Sequence, residues 1–272
     1  FFLCEVRYWL RQPMVYIFLL ILGLLPFFAI ISDNVQIGGG TGNVFKNAPS
    51  VVYQFYGVMS FIAILMVTAF VNGTAIRDFT SDTAQIVFST PVSKRSYLVG
   101  KFLGSTFIAA LPLLGVSLGM VLGSWWPSVD PLRLGPNLLL PHIEAFLVIA
   151  LPNVLFAAAI IFSVAVLMRS TMASFITAIA LFVGYAISSS FMSDIENRTL
   201  GALVDPFGGE AVDLITKYWS VSDKNTHLLP LDGVLLWNRL IWIGVAFLIF
   251  LFGYYRFRFT DRAQKAKSLQ VD

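Results

Sequence analysis

The segment Gly115-Val116-Ser117-Leu118-Gly119 matches the G-x-S-x-G pattern that presents a serine nucleophile, but that pattern needs a strand-to-helix elbow. Here it falls inside an apolar stretch of helical length, and neither His142 nor His227 lies on that stretch to act as its base. Packing is the better reading. Gly100, Gly104, Gly115, Gly119 and Gly123 recur at small-xxx-small spacing, which lets helix backbones approach closely in lipid. His142 and Glu144 lack the H-E-x-x-H spacing of a zinc site, and Gly100-Lys101-Phe102 lacks the hydroxyl and preceding glycine of a phosphate-binding loop. Gly38-Gly39-Gly40-Thr41-Gly42 reads as a flexible loop, too irregular for a dinucleotide fingerprint. Cys4, alone, can form no internal disulfide. The residues point to no catalytic, cofactor-binding or metal-binding site.

The elements that carry these residues follow from composition. Of 272 residues, 57% are hydrophobic and 12% charged, with a mean hydropathy of +0.80. That is far too apolar for a soluble domain, so the surplus must face lipid. Bases scattered between apolar runs, with no stacking aromatics among them, exclude nucleic acid as a partner. Six stretches of about 18 residues or more are long enough to span a bilayer: about 14–31, 51–71, 102–123, 145–168, 172–192 and 233–255. Arg7 and Arg11 flank the first, but no cleavage site follows, so it is expected to stay in the membrane rather than serve as a signal peptide. The chain begins at Phe1 without methionine, and an N-terminal piece is expected to be missing or processed.

One set of connecting segments holds twelve bases against five acids, and the other six against ten. The positive-inside rule therefore places both termini and the 77–101 connection in the cytoplasm. Residues 1–12 set Phe2, Leu3, Val6, Trp9 and Leu10 on one face beside Arg7 and Arg11, which predicts a helix lying in the cytoplasmic interface. The outer segment 193–233 carries one amphipathic helix signal, with Ala211, Leu214, Ile215 and Tyr218 on a face and Asp213 four residues before Lys217.

Polar side chains within spans are costly and mark candidate sites. Asn153 follows Pro152 in the fourth span, Glu144 sits at its edge, and Asn238-Arg239 lies roughly 9 Å inside the sixth. Arg239 is expected to snorkel outward or to pair with Glu144, Asp205 or Asp232. In the 77–101 connection, Asp82 with Gln85 reads as a capping pair opening a short helix, and Thr90-Pro91 as the start of the next. Ile86, Val87 and Phe88 would then present an apolar face to a partner groove.

The interfacial helix, the six spans and Phe88-Ser89-Thr90-Pro91-Val92-Ser93-Lys94-Arg95 with Gly100-Lys101 resemble the permease of an ABC-2-type (type V) exporter. The resemblance implies an all-α integral membrane domain over 1–272, whose 77–101 connection holds the helix that couples to an ATPase. The candidate coupling residues are Asp78, Asp82, Thr83, Gln85, Ile86, Phe88, Ser89, Pro91, Lys94 and Arg95. Family members begin that helix with a Glu-rich, Gly-Thr-containing stretch, where this chain has Asp78 and Asp82-Thr83. Leu134-Gly135-Pro136-Asn137, Leu151-Pro152-Asn153, Asp205-Pro206-Phe207-Gly208, Lys217-Tyr218-Trp219-Ser220, Lys224-Asn225-Thr226 and Trp237-Asn238-Arg239-Leu240 also resemble the first permease segment of bacterial proteins fused to a zinc aminopeptidase. With no peptidase motif present, that likeness implies a fragment or a stand-alone relative.

The expected function is that of the transmembrane part of an ATP-driven exporter in a bacterial cytoplasmic membrane. The resemblance implies ATP and Mg bound in a partner ATPase dimer, a second permease half, and an aminopeptidase domain as a further partner. The alternative is a membrane anchor for an extracytoplasmic aminopeptidase. A passive channel finds no ring-forming polar repeat to support it. Few intramembrane charges favour an amphipathic peptide or lipid-like substrate over a small ion.

Overall fold

A backbone in lipid must satisfy its own polar groups, and these apolar runs do so as helices. The computed structural model describes residues 1–32, 43–192 and 198–258, and within them every regular element is helical. Gly38–Gly42 and the terminal bases Arg262, Lys265 and Lys267 lie outside the described residues.

The helices run in order α1 (Phe2–Leu10), α2 (Pro13–Ile31), α3 (Pro49–Ile62), α4 (Ile64–Thr80), α5 (Ala84–Ser89), α6 (Lys94–Ala110) and α7 (Leu114–Ser124). There follow α8 (Leu139–Ala145), α9 (Leu151–Met168), α10 (Thr171–Met192), α11 (Arg198–Val204), α12 (Gly209–Thr216), α13 (Val221–Thr226) and α14 (Gly233–Arg256). Among the described residues, four stretches are long and apolar enough to cross a membrane: Pro13–Ile31, Lys94–Ser124, Leu139–Met168 and Gly233–Arg256. The pair α3 and α4, bent by 49°, makes a fifth if taken as one span, and the apolar part of α10 runs from Thr171 to Ile187.

The breaks have local causes. At Ala63 the backbone turns between α3 and α4, just after Ser60 donates its hydroxyl to the Gly57 carbonyl, a back-bond that competes with the helix ladder and bends it. Pro112 sits in a 3-10 turn, Leu111–Leu113, between α6 and α7. Pro152 has no amide hydrogen to give to the preceding turn, and the five-residue π-helical segment Phe146–Ala150 takes up the mismatch there. Arg169, with φ of 54°, ends α9 in a left-handed cap.

The glycine stripe packs as its spacing implies. A Cβ on Gly119 would stand 1.9 Å from the Gly23 carbonyl oxygen, and one on Gly115 2.3 Å from that of Leu19. The α2 and α7 backbones therefore touch, gaining dispersion contacts that lipid cannot replace. Gly100 and Gly104 take α1 across α6 in the same way, against Phe1 and Glu5.

The face of α1 that packs on the bundle runs through Phe1, Glu5 and Trp9 at i, i+4 spacing, while Phe2, Leu3 and Leu10 turn outward, Leu3 being 76% exposed. Here a carboxylate wins burial because it finds a guanidinium. The described residues 198–233 carry three helices where the sequence signalled one, since α11 and α13 are too short to show a periodic stripe. Within α12, Ala211 is buried and Leu214 and Ile215 partly so, but Tyr218, past the end of the helix, is exposed and Lys217 lies over its ring at 5.1 Å.

Candidate functional site

At one end of the bundle α4, α5 and α6 meet α1. Arg77 Nη2 donates to Glu5 Oε1 at 2.6 Å, and the guanidinium also covers the Tyr8 ring at 4.2 Å. Lys101, fully buried, sits 2.7 Å from Asp78 Oδ2 and donates to the Thr74 carbonyl at 2.9 Å. Tyr97 donates its hydroxyl to the same Asp78 oxygen at 2.9 Å. Two ion pairs thus tie α1, α4 and α6 together, and breaking one would strand a buried charge. Glu5, Arg77, Tyr97 and Lys101 are the ionisable members of this cluster missing from the coupling residues chosen by sequence. Their signal was the one acid on α1, Arg77 beside Asp78, and the lysine of Gly100-Lys101.

The short helix α5 stands against this cluster, and its side chains divide. Phe88 turns inward to the rings of Phe79, Tyr97 and Phe257, with the Phe79 centroid at 5.9 Å. Ile86 points away and is 67% exposed, in company with Asp82, Gln85, Ser89 and Pro91. The expected capping pair does not form. Asp82 takes a left-handed conformation at φ 53°, Thr83 occupies the N-cap, and no side chain caps α5. Nor does Thr90-Pro91 open α6: Thr90 caps the end of α5, and Ser93 caps α6 by accepting from the Ser96 amide at 3.2 Å. Lys94 leans onto Tyr254 and donates to the Phe257 carbonyl at 2.7 Å, while Arg95 stays exposed. Arg169, in the α9–α10 connection, covers the Phe79 ring at 4.4 Å, so both connections converge on one face.

At the other end, three of the four intramembrane polar residues come together. Arg239 donates from Nε to Asn238 Oδ1 at 2.8 Å, from Nη2 to the same oxygen, and from Nη1 to Asn153 Oδ1 at 3.0 Å. Asn153 passes the chain on to the Ser60 hydroxyl at 2.8 Å, beside the α3–α4 bend. Asn238 Nδ2 holds the Ala202 and Asp205 carbonyls at 2.6 and 2.7 Å. Arg239 is only 5% exposed and does not snorkel, and among the described residues it pairs with no carboxylate within ion-pair distance. Its charge is held by amide oxygens, with Asp205 nearby as the Coulombic counterpart. Asp205 is engaged elsewhere, accepting from the Phe207 and Glu210 amides at 2.8 Å each. Gly208 is required above the guanidinium, since its φ is +74° and a Cβ there would meet Nη2 at 1.8 Å.

Glu144 is the fourth residue and stands apart, accepting from the Tyr53 hydroxyl at 2.6 Å. The structure also supplies the histidine that the sequence did not place: His142 Nδ1 is 2.9 Å from Ser117 Oγ, which is 2.6 Å from the Tyr56 hydroxyl. Ser117 nevertheless lies mid-helix, where backbone amides are committed to the helix ladder and none forms an oxyanion hole. The cluster reads as a polar bolt between α3, α7 and α8.

Beside Gly208 opens a cavity of about 550 Å³, walled by α3, α10 and the segment from Phe207 to Asp213. A second cleft of about 410 Å³ adjoins it through Gln54 and Asp213 and carries Arg198, Glu210, Lys217 and Lys224. Burial, and then Asp205, raise the Asp213 carboxyl above its ordinary pKa. Burial raises Glu210 likewise, with Asp213 and Asp205 adding to it.

A search of curated proteins found no match. A family model described as ABC-2 family transporter protein matches residues 28–206, which run from α2 through α11. That match covers the bent α3–α4 pair, α5, α6 and Asn153, and leaves α1 with Glu5 and α14 with Asn238 and Arg239 outside it. The chain belongs to the ABC-2 transporter family and is a multi-pass membrane permease component of an ABC transporter.

Proposed function

We propose that this chain is one six-span half of an ATP-driven exporter in a bacterial cytoplasmic membrane, with both termini in the cytoplasm. An ATPase dimer binding ATP and Mg docks on α5, and a second permease half completes the pathway. The observation that carries this reading is the division of α5, with Phe88 anchored in an aromatic cluster and Ile86 turned out into open space. A six-residue helix cannot be stable alone, so its rigid attachment to α4 and α6 lets motion of a docked partner reach both. The Asp78–Lys101 and Glu5–Arg77 pairs make that end of α1, α4 and α6 move as one piece.

The test separates the two α5 side chains. Ile86→Ala is expected to reduce co-purification of the ATPase and substrate-linked ATP turnover about tenfold, the effect of roughly 1.4 kcal/mol lost at an interface anchor, with thermal stability unchanged. Phe88→Ala should lower stability as well, because it removes a ring from the bundle. Full ATPase binding by Ile86→Ala would shift the docking site to the α9–α10 connection at Arg169. An aminopeptidase anchor would show no dependence of its activity on either residue.

Orientation is tested by cysteine labelling in a Cys4→Ser background, since Cys4 is exposed. An impermeant maleimide added to intact cells should label Tyr218→Cys, at an 83% exposed position, and leave Ser89→Cys untouched until the membrane is opened. The reverse pattern would invert the topology.

A further inference from the structure

The cavity beside Gly208 has an unusual chemistry for a chamber in a membrane protein. The rings of Phe61, Tyr185 and Phe207 form its wall as a mutually packed set, with centroids 4.9, 5.4 and 4.7 Å apart, and Tyr53 adds a fourth ring. Asp213 is the one charged side chain on the lining. Among the described residues it has no hydrogen bond and no ion pair, and the Gln54 amide beside it has none either. The nearest buried cation, Arg239, lies behind the Gly208 backbone, with each of its three nitrogens donating to Asn238 or Asn153.

Aromatic faces carry negative potential, and a carboxylate at the rim of several such faces is the arrangement that selects an organic cation. A neutral lipid tail would gain from the rings but leave the carboxylate uncompensated. An anion would meet repulsion from both. The volume falls within the range of small-molecule sites, roughly 300–1,000 Å³.

We propose that this chamber binds lipophilic cations, a positively charged phosphonium or ammonium centre seated by Asp213 with its apolar body against Phe61, Tyr185 and Phe207. The proposal deepens the exporter reading by naming the substrate class of one site in it. The adjoining cleft, with bases and acids mixed, is the polar approach through which such a cation exchanges with water.

Tetraphenylphosphonium and tetraphenylborate share shape and hydrophobicity but differ in the sign of their charge, so together they test the assignment. Binding is measured on the full chain in lipid nanodiscs, with empty discs as the background and no ATPase present. The wild type should bind the phosphonium saturably and at least tenfold more tightly than the borate. Asp213→Asn should weaken the phosphonium at least fivefold without weakening the borate, and Tyr185→Leu should weaken the phosphonium with Asp213 intact. Equal binding of the two ions, an Asp213→Asn variant indistinguishable from wild type, or phosphonium uptake no greater than that of empty discs would each overturn the proposal. Because no ATPase takes part, these outcomes are independent of the Ile86 result, and either reading can fail alone.

Discussion

Gly119→Val is expected to drive α2 and α7 apart and to leave little folded permease after extraction from the membrane. The first added carbon would sit 1.9 Å from the Gly23 carbonyl oxygen and 2.8 Å from its carbon, and neither is the end of a flexible side chain that could swing away. One helix must move bodily. In lipid no hydrophobic driving force opposes that separation, because the exposed surface is as apolar as the tails that cover it. Overpacking commonly costs about 1–3 kcal/mol, and backbone on both sides puts this site at the upper end. The measurement is the midpoint of thermal unfolding in detergent, with Gly244→Ala as the control because a Cβ there meets nothing within 4 Å. A Gly119→Val protein as stable as that control would show that the α2–α7 contact contributes little.

Arg239→Lys should be nearly as damaging as Arg239→Leu, contrary to what a snorkelling or simply paired arginine would allow. The guanidinium bonds Asn238 and Asn153 from three nitrogens of one plane, and a single ammonium cannot occupy those positions together. Leucine would leave the Asn238 and Asn153 oxygens, both buried, without these donors, at a cost of about 1–3 kcal/mol each. We expect a total loss of roughly 3 kcal/mol for leucine and recovery of less than half of it by lysine, read as unfolding midpoints. If lysine restored wild-type stability, charge alone would be what the site needs, and the planar fork would be irrelevant.

The sequence made the apolar helices legible because lipid exposure leaves long apolar runs, though the described residues give four such spans and the bent α3–α4 pair where six were expected. The glycine stripe was legible because close backbone approach tolerates nothing larger. The quoted words Leu151-Pro152-Asn153, Asp205-Pro206-Phe207-Gly208 and Trp237-Asn238-Arg239-Leu240 prove to be the parts of one assembly, joined through Arg239. Leu134-Gly135-Pro136-Asn137 and Lys224-Asn225-Thr226 likewise clamp the chain near Phe45, through Asn47 bonds to Gly135 and Asn137 at 2.8 Å and an Asn225 bond to Phe45 at 2.9 Å. What the sequence concealed is partner choice across long separations. Nothing local says that Glu5 will meet Arg77, that His142 will meet Ser117, or that Glu144 will prefer Tyr53 to Arg239. Asp213 was visible only as a helix-surface charge, because a cavity wall is made by three elements at once.

The wide turn at Phe146–Ala150 sets the phase of the helix around it. In an unbroken α-helix, eleven residues would bring His142 and Asn153 within about 20° of the same direction. One extra residue absorbed in the π-helical segment offsets them by roughly a quarter turn, so that one serves Ser117 and the other Arg239. A single-residue deletion or insertion in that segment is therefore a dial on this architecture, re-aiming one polar cluster against the other without altering a residue of either.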